Sequence, residues 1–388
     1  MNLHLQKFSV SYEYPVIFTS NVFDPLNPHL VWAVSRGEPG RRQRLFVVID
    51  HGVAAAWPSL TADMAGYVDV HRDRLALVNE PLILDGGEGI KNDPAAIERL
   101  HAELNRAKMD RHSSVVIVGG GALLDMAGYG AATCHRGLRV IRIPTTVLSQ
   151  NDAGLSVKNG VNAFGKKNFV GTFSPPYAVL NDRCFLPTLS PRDRTAGMAE
   201  AVKASLIRDA EFFDWIVASA RLLHEGAPAA LQVLIERSAK IHLDHIARSG
   251  DPFEFGCARP LDFGHWAVHK LELLTRYRLR HGEAVAIGMA VDTLYSVLAG
   301  HLDEQSGRRI LRLLNALNLR LWDDALGDPA LPDGLIEFRE HLGGELTITL
   351  LKRIGHGFEV HDLRLDLIRT AIDQLHDLEI RAQPQPQS

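Results

Sequence analysis

Three segments in the second half of the chain carry side chains able to hold a metal ion. In "LDFGHWAVHKLE" (261–272), His265 and His269 stand four apart in an apolar run with helical periodicity, so both imidazoles face the same way. His281 opens "HGEAVAIGM" at an expected helix start, and Glu200 lies in "AGMAEAVK". Two imidazoles and one carboxylate suit a catalytic zinc or similar divalent ion, which keeps one coordination position open for substrate. Spacing alone leaves two readings open. His265 and His269 share one ion, or they are core histidines with satisfied hydrogen bonds.

The first half offers different chemistry. "VVIVGGGALLDMAG" places Gly119, Gly120 and Gly121 between a strand and a helix, where phosphates can approach the backbone and the helix N-terminus favours anions. The third glycine of the GxGxxG fingerprint is absent. Asp125 follows one turn into that helix, and a second glycine-rich turn, "DGGEGIKND" (85–93), carries Glu88 and Lys91. "IPTT" (143–146) offers Thr145 and Thr146 after a strand, and Asp50 ends another, where an acid often takes ribose hydroxyls. Four such signals at strand C-termini make a nucleotide-site pattern. The stretch "NDAGLSVKNGVNAFGKKNFVGTF" (151–173) reads as a long polar loop with Asp152, Lys158, Asn162, Lys166, Lys167 and Asn168. Its lysines and amides suit a phosphorylated substrate, and a solvated loop is the plainer alternative.

These residues need elements to position them. "RLFVVID" (44–50), "RLALVNEPLIL" (74–84), "SSVVIVGGG" (113–121) and "LRVIRIPTT" (138–146) read as buried strands. Helical stretches at 93–109 and 122–134 alternate with them, which predicts a parallel α/β sheet of Rossmann type. After Leu186 the texture changes. Ser190 is an N-cap candidate with Pro191 at the first helical position. Helices are then expected at 208–224, 227–249, 264–275, 283–299, 303–317 and 362–380, interrupted by a hairpin at 345–361. The tail "QPQPQS" has the composition of a disordered segment. The expected plan is a Rossmann-like α/β domain over 1–186, an all-α domain over 187–388, and a cleft between them.

With 46% hydrophobic residues among 388, the chain can bury one large or two medium cores. A net charge of −4 gives no basic field for nucleic acid. Cys134, Cys184 and Cys257 form neither a disulfide framework nor a CxxC knuckle, in keeping with a reducing cytoplasm. Neither a signal-peptide core nor a run of ~18 apolar residues is present, so neither a secreted nor a membrane protein is expected.

In this order the motifs resemble the 3-dehydroquinate synthase and wider sugar phosphate cyclase family. "GGGALLDMAGYGAATCHRG…RIPTT", "NDAGLSVKNGVN…KKNFVGTF", "AGMAEAVKASLI", "LDFGHWAVHKLE" and "HGEAVAIGM" carry the likeness, from about residue 44 to 299. "RPLDFGHW" is most similar to the dehydroquinate-synthase-like proteins of ebo-type gene clusters. The resemblance implies a Rossmann-like NAD domain, a helical metal domain and a homodimer. It implies Glu200, His265 and His281 as ligands of one divalent metal ion, zinc or cobalt. His269 then contacts the substrate phosphate instead. Lys158, Lys203, Asn168, Asp152 and Arg136 match polar substrate contacts. Asp50, Glu88, Lys91, Gly120, Gly121, Asp125, Thr145, Thr146 and Lys167 match the NAD side. The implied reaction is transient oxidation of a sugar phosphate by NAD, phosphate elimination, return of the hydride and intramolecular aldol closure to a carbocycle.

The chain departs from that pattern at the contacts for a carboxylate and a phosphate. Position 262 is Asp where the family usually has Asn. The carboxylate-binding arginine falls at Ala258, beside Arg259 and Pro260, and the matching lysine has only Lys240 as a gapped candidate. A phosphate-binding lysine falls at Glu340. Retained chemistry on a ketose phosphate without a carboxylate, such as a heptulose 7-phosphate, is the resulting expectation. Two rivals are a metal-dependent polyol or glycerol dehydrogenase, which would accumulate NADH, and a non-catalytic binding protein that kept the fold.

Overall fold

The computed structural model describes residues 3–254, 261–341 and 344–382. Cys257, Ala258, Arg259, Pro260 and the "QPQPQS" tail lie outside them.

The first part of the chain builds a parallel sheet. Its strands are β1 (Val16–Thr19), β2 (Gln43–Asp50), β3 (Leu75–Leu77), β4 (Leu82–Leu84), β5 (Ser114–Gly119), β6 (Arg139–Pro144) and, after a separate hairpin β7 (Lys158–Ala163) and β8 (Lys166–Phe173), β9 (Ala178–Asp182). The order is β1-β9-β6-β5-β2-β3, with β4 also paired to β2. Helices α1 (His29–Ser35), α2 (His51–Ala56), α3 (Leu60–Val70), α4 (Pro94–Arg106), α5 (Gly121–Thr133) and the short α6 (Val147–Asn151) connect the strands. Strand β2 shows why the sheet is covered on both faces. Leu45, Val47 and Ile49 join a core with Leu30, Met64 and Tyr67, whereas Phe46 and Val48 pack with Leu100, Leu104 and Leu124. The chain leaves β2 toward β3 and β4 on one side and resumes with β5 on the other. That reversal opens a crevice at the C-terminal ends of β2 and β5.

The stretch at 151–173, expected as a loop, is mostly the antiparallel hairpin β7–β8. Its turn uses Phe164 and Gly165, both at positive φ (54° and 72°). Val161 pairs with Val170 and leaves too sparse an apolar alternation to announce a strand. Arg142, fully buried on β6, ties the hairpin down. Its guanidinium donates to the carbonyls of Gly154 (3.1 Å) and Ser156 (2.5 Å) and to Asn159 Oδ1 (2.6 Å).

The second part is helical: α7 (Pro191–Arg208), α8 (Ala210–Glu225), α9 (Pro228–Arg248), α10 (His265–Leu274), α11 (His281–Leu298), α12 (Glu304–Ala316), α13 (Asp333–His341) and α14 (Leu365–Ala382). The hairpin β10 (Ile348–Arg353) and β11 (His356–Val360) precedes the last helix. Ser190 caps α7 by accepting from Asp193 N, with Pro191 following, as its sequence predicts. From Ala196 to Ile207 every residue of α7 is buried, so this is the central helix of the domain. It nonetheless carries Glu200 and Lys203 in that interior, where an unpaired charge would be prohibitive.

Candidate metal and nucleotide site

Close packing of α7, α10 and α11 brings three sequence-distant side chains together. Gly264 enters α10 at φ 82°, and a Cβ there would stand 2.5 Å from Met289 N on α11. Gly282 lets α11 touch α7 so closely that a Cβ would fall 1.8 Å from Ala196 O. The Gly264 amide and the Trp266 indole both donate to Asp292, at 3.0 and 2.8 Å, which fixes the first turn of α10.

At this junction Glu200 Oε1 lies 3.3 Å from His281 Nε2 and 3.7 Å from His265 Nε2. Each imidazole is held by its other nitrogen. His265 Nδ1 faces the Phe263 carbonyl, and His281 Nδ1 faces Glu272 Oε2, both at 3.4 Å. Those oxygens only accept, so Nδ1 of each ring carries a proton, and both Nε2 atoms face the carboxylate. Neither oxygen of the fully buried Glu200 accepts a well-aligned hydrogen bond, although the Lys203 ammonium touches Oε2. Burial alone would raise the Glu200 pKa. Lys203 and the two histidines more than offset it and hold the carboxyl well below its usual range. Burial would likewise depress His281, but Glu272 and Glu200 raise it to about 9. A site that holds a proton this tightly attracts a cation, and a metal ion would take that proton's place. Ligand spacings of 3.3–3.7 Å match tetrahedral bonds of ~2.1 Å, so the residues fit a divalent ion.

His269 sits one turn along α10, with its ring 6.3 Å from that of His265 and outside the three-residue cluster. It lines a pocket of about 180 Å³ with Lys166, Lys167, Asn168 and Lys270. Burial, ahead of the nearby Lys167, keeps its imidazole well below the ordinary pKa. The hairpin joins this pocket to the sheet. Lys167 donates to both Glu272 oxygens (2.8 and 2.9 Å) and lies 3.5 Å from Glu88. Lys91 donates to Asp125 (2.8 Å) and to Asn168, while Asn162 donates to Glu88 (3.0 Å). One polar network therefore runs from Asp125, one turn into α5, to Glu200 at the helix junction.

On the crevice side, Asp50 ends β2 and caps α2 by accepting from Gly52 N at 2.8 Å. Burial raises its pKa. Gly86 passes so close that a Cβ would fall 2.1 Å from Asp50 Oδ2. Gly120 caps α5 without a side-chain hydrogen bond, which leaves that helix's first amides for an anion. Thr145 is buried beside it, and Thr146 is committed to a capping box with Ser149. Asp152 lies 3.3 Å from His242 on α9, and Lys158 pairs with Glu254.

Arg136 is exposed just beyond the C-terminal end of α5. Two sequence expectations change. Lys240 is exposed and paired with Asp244 along α9, so it is not a site cation. Glu340, expected only to repel phosphate, accepts from Lys166 at 2.7 and 2.8 Å and cancels that charge at the pocket edge. Asp262 is buried and accepts from Thr349 Oγ1. Glu272 was missed altogether. Its signal was present, because an acid seven residues after His265 on an apolar helix shares the histidine face.

Residues 81–196 match the family model described as 3-dehydroquinate synthase N-terminal, and 197–336 match 3-dehydroquinate synthase C-terminal. The chain is 34% identical over 338 residues to the 3-dehydroquinate synthase of Jannaschia sp. (strain CCS1), covering 85% of this chain and 89% of the relative. It is 34% identical over 373 residues to the 2-epi-5-epi-valiolone synthase of Streptomyces glaucescens, covering 94% and 91%. Among solved structures it resembles the 2-epi-5-epi-valiolone synthase ValA from Streptomyces hygroscopicus subsp. jinggangensis 5008 with NAD+ and Zn2+ bound. The TM-score is 0.85 and the identity 26%, covering 97% of this chain and all of that one. With both halves matched and two curated relatives covered nearly end to end, this chain belongs to the 3-dehydroquinate synthase family.

Proposed function

We propose that the chain is a phosphate-eliminating sugar phosphate cyclase, a carbon–oxygen lyase that uses NAD and one divalent metal ion. One observation carries the reading. The Glu200–His265–His281 cluster and the hairpin cations form one network with the strand ends through Glu272, Lys167 and Glu88. Bound at those places, NAD supplies a recyclable hydride acceptor and the metal polarises a substrate oxygen.

The protein's own residues do the rest. Glu200, His265 and His281 hold the ion and leave a coordination position toward the substrate. His269, kept neutral by burial, offers one N–H to a phosphate oxygen beside Lys167 and Asn168. Lys203 and Asp152 orient substrate hydroxyls next to the metal ligands, and Lys158 completes the wall. The reading carries with it a homodimer in the cytoplasm. Among the described residues no helix is long and apolar enough to cross a membrane.

We further propose a ketose phosphate without a carboxylate as substrate. Ala258 stands where the family places its carboxylate arginine, Lys240 is a surface residue, and Glu340 neutralises Lys166. Incubation with NAD, zinc or cobalt and a heptulose 7-phosphate is expected to release inorganic phosphate with no net NADH. NADH accumulating on a simple polyol would instead establish the dehydrogenase reading, and purified protein that binds no metal would establish the binding-protein reading. Brisk phosphate release from a 3-deoxy-heptulosonate 7-phosphate would sink the changed substrate.

A further inference from the structure

Helix α9 carries two histidines, His242 and His245, at adjacent positions of one helical face. His242 Nδ1 lies 3.3 Å from Asp152 Oδ1. A carboxylate only accepts, so Nδ1 carries the proton and Nε2 is left with a lone pair. That Nε2 is buried and has no hydrogen-bond partner. A core histidine retained for packing would have both nitrogens satisfied, because an orphaned buried acceptor costs free energy. Burial, ahead of the pull of Asp152, keeps the ring below its ordinary pKa and therefore neutral.

The surroundings connect this atom to the metal cluster and strip it of cations. Lys203 and Glu200 both lie within electrostatic reach of His242, and Lys203 is itself paired with Glu200. Lys158 is held by Glu254, and His245 Nε2 stands 3.6 Å from the same carboxylate. The described wall of the site beside Asp152 thus consists of the neutral His242 ring, the His245 ring facing Glu254, and ion-paired lysines.

We propose that His242, oriented by Asp152, is a specificity-determining subsite that accepts the proton of a hydroxyl on the uncharged end of a polyhydroxylated ketose phosphate. The assignment rests on the cyclase reading and deepens it. A lone pair receives a hydroxyl but opposes a carboxylate, which brings only acceptors. One nitrogen therefore both selects the neutral sugar end and rejects the acid.

Calorimetry on enzyme loaded with zinc and NADH, which cannot take up a hydride, separates binding from turnover. A heptulose 7-phosphate is expected to bind the wild type at least tenfold more tightly than a 3-deoxy-heptulosonate 7-phosphate. His242→Ala should weaken the heptulose roughly tenfold and leave zinc and NADH stoichiometry unchanged. His242→Gln, whose amide oxygen reaches the position of Nε2, should recover part of that loss and keeps the test open if the alanine variant folds poorly. Equal affinity for the two sugars, no binding of the heptulose, or an unchanged affinity in both variants would overturn the subsite. Intact binding and its loss in His242→Ala, with no phosphate released from the heptulose under NAD+, would overturn the cyclase reading alone.

Discussion

Among individual residues, the decisive feature is that each histidine beside Glu200 is aimed by a partner on its far nitrogen. Glu272 does this for His281 and also takes the charge of Lys167. Burial opposes its ionisation, yet Lys167 and His281 hold it ionised far below the usual carboxylate range. Glu272→Gln keeps the shape but weakens the anchor and leaves Lys167 facing Glu88 alone. Metal affinity, read by competition with a chromophoric chelator, is expected to fall about 10–100-fold, the range typical for partners behind a metal ligand. An unchanged affinity would mean that the 3.4 Å contact orients nothing.

Among elements, the cluster depends on helices that meet backbone to backbone. Gly282 is the sharpest case, because a Cβ would fall 1.8 Å from the Ala196 carbonyl, an oxygen of the rigid central helix. Gly282→Ala must push α11 from α7 and carry His281 away from Glu200. Thermal unfolding should show a loss of at least about 1–3 kcal/mol, the usual cost of overpacking, together with reduced zinc content. Gly40→Ala, where no atom lies within 4 Å of the new Cβ, is the matched control and should leave both unchanged. At the other end of the network, Arg142 does for the hairpin what these glycines do for the helices. It fixes the carbonyls around residues 154–156 so that Lys158, Lys167 and Asn168 hang from the sheet in register.

For the whole molecule, stability should be coupled to metal and to pH. An ion held only by the folded state raises the unfolding free energy, by about 2.7 kcal/mol at a hundredfold excess over its dissociation constant. Zinc should therefore raise the thermal midpoint of the wild type and leave Glu200→Gln unmoved, and a chelator should reverse the shift. Asp292 adds a pH term. Burial, reinforced by Asp262 nearby, raises its carboxyl to about 7 despite the Trp266 and Gly264 donors. The folded state then binds this proton more tightly than the unfolded chain. The contribution is fully present below the ordinary value near 3.8 and is lost as pH rises through about 7. At most about 4 kcal/mol is involved. Unfolding of zinc-loaded protein between pH 5 and 8 should weaken with rising pH more steeply in the wild type than in Asp292→Asn. Parallel profiles would show that Asp292 is ionised throughout.

The sequence by itself determined the elements and the residue types of the site. Buried strands that end in Asp50, Gly119 and Pro144, and a capped helix from Ser190, follow from local periodicity and capping chemistry. Local rules also made Glu200, His265 and His281 candidates. They did not say which histidine of the i, i+4 pair would face Glu200, because both project from one helical face. Tertiary packing decided it: the close approach of Gly264 to α11 and of Gly282 to α7 puts Nε2 of His265 and His281, not His269, beside Glu200. It also made a hairpin of an apparent loop, set Lys240 apart from the cluster, and left Nε2 of His242 without a hydrogen-bond partner. Those outcomes depend on contacts between residues far apart in the chain, and no periodicity within a single segment encodes them.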